Sequence, residues 1–124
     1  MKLIDTINFV PFYEKVKDQT MSISTAYKLS KIYKATKDDL TFYQDKLREI
    51  LLQYAELDEN GQFISVEDGN GIKLKPDTQE ACLAAINELQ DTESDIEFEP
   101  IPVDALSSLE VTPSELEGIM GFIA

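Results

Sequence analysis

The stretch Asp95-Ile96-Glu97-Phe98-Glu99 sets three carboxylates at alternate positions, and such a row is the first place to look for acid/base work or cation binding. Strand periodicity puts the three on one face, neighbours about 6.7 Å apart along the backbone. Side chains so placed run parallel and do not converge on one ion. The row therefore reads as a solvated edge, one that also discourages edge-to-edge pairing. A second set, Asp58, Asn60 and Gln62, alternates like a calcium loop. Such a loop needs Gly at its sixth place and Glu at its twelfth, and counting from Asp58 those places hold Phe63 and Gly69. The glycines at 69 and 71 suggest a phosphate loop, but Ile72-Lys73 follows where a Lys-Ser/Thr pair opening a helix is required. Cys82 has no histidine in the chain to activate it and no basic neighbour in sequence, so it reads as a small buried hydrophobe. With no histidine, no tryptophan and no phosphate-cradling motif, the chain is expected to be no enzyme and to use no metal or cofactor.

The elements that must carry these residues are legible in the patterning. A length of 124 residues predicts one domain, parsed as an N-terminal helical segment (1–20), a long helix (21–57) and an acidic remainder (58–124). Leu3, Ile7, Val10 and Val16 mark the first segment, in which Pro11 must begin a helical piece or kink one. Ser22 or Ser24 is the expected cap of the next helix. From Ala26 through Leu29, Tyr33, Thr36, Leu40, Tyr43, Leu47 and Ile50 to Tyr54, steps of three and four alternate, with Thr36 the only polar member. Such a stripe either packs within the chain or joins two copies of it; its tyrosines fill coiled-coil holes less well than Leu or Ile.

After the helix, Asn60-Gly61 is a turn pair tolerating positive φ. Alternation then predicts a β-hairpin, 62–67 with 71–75. Asp77 and Glu80 have the grammar of a capping box for a helix 78–90, burying Cys82 or Leu83, Ile86 and Leu89. A strand at 95–99 would turn Ile96 and Phe98 inward and Asp95, Glu97 and Glu99 outward. Residues 102–106 permit a helical turn, and Thr112-Pro113 opens a short helix over 113–121. The predicted class is α+β, mostly helical: long helix 24–56, hairpin, helix 78–90, acidic strand 95–99 and C-terminal helix 113–121.

Charge divides the chain. Residues 1–54 hold nine Lys/Arg against seven Asp/Glu, whereas 55–124 hold two lysines against seventeen acids, for a total of −13. Acid in this excess disfavours direct nucleic-acid binding. It keeps a protein dispersed, and it also presents a field that a basic partner can meet. No apolar run approaches 18 residues, and Asp5, Thr6 and Asn8 interrupt the start, so neither a membrane span nor a signal peptide is expected. A single cysteine suits a reducing compartment.

The blocks "FYQDKLREILLQYAELDENG", "GNGIKLKP", "CLAAINELQ" and "LEVTPSELEGIMGFI" together resemble small uncharacterised proteins of tailed bacteriophages from gut and environmental viromes, over about residues 24–123. The resemblance implies a phage-encoded protein of helix, hairpin, helix, acidic strand and short final helix. It lends no activity and no functional residues. The expected function is non-enzymatic: contacts with phage or host proteins, as a virion structural or assembly component. The alternative is an acidic host-directed inhibitor, a nucleic-acid mimic or anti-defence protein. Its expected place is the host cytoplasm during infection, or the virion. Candidate partner contacts are Leu40, Tyr43 and Leu47 in the stripe, with homo-oligomerisation through the 26–54 seam as one form. Asp95, Glu97 and Glu99 in the acidic row and Phe122 and Ile123 at the apolar end complete the set.

Overall fold

A computed structural model of the chain describes residues 1–66 and 71–124. The protein is mostly helical, with α1 (Leu3–Ile7), α2 (Phe9–Val16), α3 (Ile23–Tyr54), α4 (Gln79–Asp91) and α5 (Pro113–Glu117), plus 3-10 turns at Val103–Leu106 and Met120–Phe122. It divides into two compact units. One comprises Met1–Phe42 with Asp91–Ala124, the other Tyr43–Gln90, and α3 runs through both.

In the first unit, α1 and α2 are separated at Asn8, and Pro11 falls in the first turn of α2, where a missing amide donor costs no helical bond. The buried positions are Leu3, Thr6, Phe9, Phe12 and Val16. Ile7 and Val10, expected in the apolar face, are only half-buried; the phenylalanines take the core. Ser22 caps α3, its Oγ accepting from the Thr25 amide at 3.2 Å. Thr25, Leu29, Ile32 and Thr36 form the buried face of this part of α3, while Ala26 is exposed. Thr36, the polar intruder in the stripe, is fully buried because its hydroxyl donates to Tyr33 O at 2.8 Å.

The core joins Phe9, Phe12, Val16, Leu29 and Ile32 to Ile101, Leu106, Leu109, Ile119 and Phe122. Phe122 is its hinge pin, with ring centroids 5.0 Å from Phe9 and 4.7 Å from Phe98. Thr112 caps α5 and Pro113 occupies its first turn. The final helix is shorter than the expected 113–121. At Ile119 (φ −119°, ψ 14°) the backbone leaves the helix and re-enters a 3-10 turn, so that Ile119 and Phe122 both reach the interior. Two backbone bonds then clip the end to the chain, Ile101 N to Phe122 O (2.8 Å) and Ala124 N to Ile101 O (2.9 Å).

The second unit corrects the α+β expectation. Among the described residues there is no regular β-strand, and those of this unit make only single antiparallel bridges: Ser65 with Ile72, Leu57 with Phe63 and Ala55 with Leu74. The pairing begins as a hairpin would, with Val66 N to Gly71 O (3.1 Å) and Lys73 N to Ile64 O (2.7 Å). Phe63 and Leu74 should pair next, but each instead takes a partner in the segment leaving α3, so no ladder propagates. Residues 67–70 of the expected hairpin lie outside those described. Asp58 Oδ1 accepts from the amides of Asn60 and Gln62, both at 2.9 Å, and Gly61 adopts φ +74°, a side-chain-braced turn rather than a cation loop. Asp77 does not cap α4: it sits at φ +63°, and Thr78 stands before the helix with its hydroxyl donating to Lys75 O at 2.6 Å. On α4, Cys82 and Leu89 are buried, Ile86 is half-buried and Leu83 is exposed.

Candidate protein-binding groove

The acidic row belongs to no helix or regular strand, but its alternation holds: Asp95, Glu97 and Glu99 are exposed while Ile96 and Phe98 are half-buried against the core. The expected strand is nevertheless absent, because none of the described segments pairs with it. Ile96 N is held by Ser94 Oγ (3.2 Å), which in turn donates to Asp39 on α3 (2.6 Å). At the far end Ile101 N is fixed by Phe122 O. Anchored at both ends, Glu97-Phe98-Glu99 spans the interval with peptide groups that make no backbone hydrogen bond among the described residues.

This segment forms one wall of a groove of about 660 Å³. The other wall is α3, through Lys28, Lys31, Ile32 and Ala35; Pro100 closes the acidic side. Helical spacing explains the α3 wall, since 28, 31, 32 and 35 fall on one face. Ile32, Ala35, Phe98 and Pro100 supply an apolar floor between a rim of two lysines and a rim of two glutamates. Lys28 Nζ lies 3.6 Å from Glu99 Oε1, a loose pair of small net value in which Lys28 is half-buried and Glu99 exposed. Lys31 Nζ stands 5.3 Å from the centroid of Tyr27 on the same helix.

Two further polar clusters brace this unit. Glu14 accepts from Tyr33 Oη (3.0 Å) and pairs with Lys17 (2.8 Å), while the Tyr33 ring stacks on Tyr13 at 4.2 Å. The Lys17 bond, then the tyrosine hydroxyl, hold the Glu14 carboxyl below its ordinary range. Lys17 and Tyr33 are each raised, first by their bonds to Glu14. Lys15 likewise holds Glu115 low, joining α2 to α5.

The remaining candidate contacts separate. Leu40, Tyr43 and Leu47 are half-buried along α3, and Tyr43 Oη accepts from Gln90 Nε2 at 3.3 Å. A seam between copies cannot use the whole 26–54 stripe, because Leu29 and Thr36 are covered by the chain's own core. Phe122 is fully buried and Ile123 half-buried, so the apolar end docks internally and Phe122 is withdrawn from any partner. Glu97 and Glu99 are brought together with Lys28 and Lys31, which sequence reasoning did not single out. The available signal was the charge split itself, four lysines at 28, 31, 34 and 37 against an acid-only stretch after Lys75.

Among the described residues no group of His, Cys, Asp and Glu is arranged to hold a metal ion, and no helix is long and apolar enough to cross a membrane. Compared with protein-family models, with curated proteins and with solved structures, the chain matches none.

Proposed function

We propose that the protein works by binding another protein, as a structural or assembly component of a phage particle, and that it performs no catalysis. The observation that supports this reading is the groove between α3 and the acidic segment, apolar in its floor and oppositely charged on its two rims. Interfaces combine those features, with a desolvated centre and polar edges that select the partner. The phage setting rests on the sequence resemblance.

Mass spectrometry of purified particles and of assembly intermediates tests the proposal. The chain should be present at a fixed copy number per particle. Its absence from both, with abundant free protein in infected cells, would favour the second reading, an acidic host-directed inhibitor. The observation on that side is the charge: after Lys75 the chain holds twelve acids and no base.

A further inference from the structure

We propose that Glu97-Phe98-Glu99 is an open docking edge that receives an extended segment of a partner protein as an added β-strand. The added strand carries Lys or Arg at alternate positions and apolar residues between them. The inference rests on the protein-binding reading and specifies its mode.

Three independent features converge. The side chains of 95–99 alternate between exposed and half-buried, as along a strand, and the segment is held at both ends, by the Ser94 side chain on Ile96 N and by Phe122 O on Ile101 N. Its peptide groups at 97–99 have no backbone partner among the described residues, which is the state of an unprotected sheet edge. Beside it lies a groove of about 660 Å³, within the range of about 300–1,000 Å³ that ligand clefts occupy. An exposed extended segment commonly carries charge to repel further strands, and here the charge is of one sign. It therefore repels acidic strands, disfavours neutral ones that would leave its carboxylates desolvated and unpaired, and admits basic ones.

The alternation of the occupant follows from strand geometry. A strand paired to this edge places every second side chain on the face of Asp95, Glu97 and Glu99, and the others on the face of Ile96 and Phe98. The first set must be basic, and the second must suit the floor formed by Ile32, Ala35 and Phe98. A contiguous block of lysines would set charge against Lys28 and Lys31 on the opposite rim, so composition without alternation should fail. Lys28 is an internal competitor for Glu99, at 3.6 Å, and binding must displace it.

The test is fluorescence anisotropy of the whole chain with labelled synthetic hexapeptides at low salt. The alternating Lys-Val peptide should bind at least tenfold more tightly than a block peptide of three lysines followed by three valines. Methylating alternate backbone amides of the alternating peptide, on the edge that faces the protein, should weaken it tenfold or more while leaving its charge unchanged. Lys28→Gln should tighten binding two- to fivefold. Ala35→Trp, which fills the groove from its half-buried place on the α3 wall, should abolish binding with the circular dichroism spectrum unchanged. Equal binding by methylated and unmethylated peptides, or by alternating and block peptides, would overturn strand addition and leave a purely electrostatic protein-binding surface. No binding by any basic peptide would remove the groove as the binding site altogether.

Discussion

The two compact units use the same helix in different ways. In the unit of Met1–Phe42 and Asp91–Ala124, ten large apolar side chains close around one another, and both ends of the chain are tied in by backbone bonds. In Tyr43–Gln90, the buried apolar residues among those described are Ala55, Cys82 and Leu89, two of them small, while Leu52, Leu57 and Leu83 stand exposed. Hydrophobic burial is the dominant favourable term in folding, so stability should reside in the first unit and local opening in the second. A regular apolar stripe is thus a statement about periodicity and not about cover. Leu29 and Ile50 occupy equivalent places in it, three heptads apart, yet one is 1% exposed and the other only half-buried.

The largest effect should come from removing the pin of the first core. Phe122→Ala deletes a fully buried ring packed on Phe9 and Phe98, and should cost about 3–5 kcal/mol. Leu83→Ala, on the half-exposed face of α4, should stay within about 0.5 kcal/mol. Urea denaturation of both variants reads the difference. Comparable losses would mean that the second unit is as fully packed as the first.

Next comes the stripe where cover thins. Leu40 and Leu47 are each half-buried, so changing either to Asp should destabilise the single chain by roughly 1–3 kcal/mol. Light scattering and thermal melting of the double variant separate two cases. A lowered melting temperature at unchanged mass fits internal packing. A smaller but equally stable species would show that this part of α3 joins two copies.

These differences also mark how far the sequence could be read. The long helix, its Ser22 cap, the Asn60-Gly61 turn and the Thr112-Pro113 start were legible because each depends on residues within four positions. So was the in/out alternation at 95–99, which is a property of extended backbone with or without a neighbour. The hairpin misled because pairing is non-local: nothing in residues 62–75 says that Phe63 and Leu74 will be claimed by Leu57 and Ala55. Phe9 and Phe12 were passed over because a stripe drawn through Leu3, Ile7 and Val10 also fits helical spacing, and only the arrival of Phe122 decides which face is covered. The groove was illegible for the same reason, since its walls lie about sixty residues or more apart in sequence.

Titration should register in the first unit, to which Glu14, Lys17, Tyr33 and Glu115 all belong. Glu14 and Glu115 are held below their ordinary value of 4.5, chiefly by Lys17 and Lys15. A lowered carboxyl contributes stability that is present above its unfolded value and is lost as pH falls through the folded one. Tyr33 and Lys17 are raised above 10.0 and 10.5, so their contribution is present below those values and is lost as pH rises through the higher folded ones. Denaturation midpoints should therefore fall at both extremes. Glu14→Gln should flatten both limbs and Glu115→Gln only the acid limb. Unchanged limbs in the double variant would show that neither the Glu14 nor the Glu115 cluster carries the pH sensitivity.

The smallest effect on stability is expected where the effect on binding is largest. Asp95, Glu97 and Glu99 are exposed, and the ion pair that Glu99 makes with Lys28 is a loose one at 3.6 Å. Exposed pairs contribute about 0–1 kcal/mol, and removing three acids from a chain of net charge −13 relieves repulsion that acts the other way. The triple change to Ser should therefore shift the unfolding free energy by no more than about 0.5 kcal/mol. The inward partners Ile96 and Phe98, which pack against the core, are untouched and keep the segment extended. Association with a basic partner should nonetheless slow, and its salt dependence should flatten, since exposed charge acts mainly on encounter. A marked loss of stability in the triple variant would show that the row holds the segment in place, and its charge would then belong to the fold of the first unit rather than to recognition.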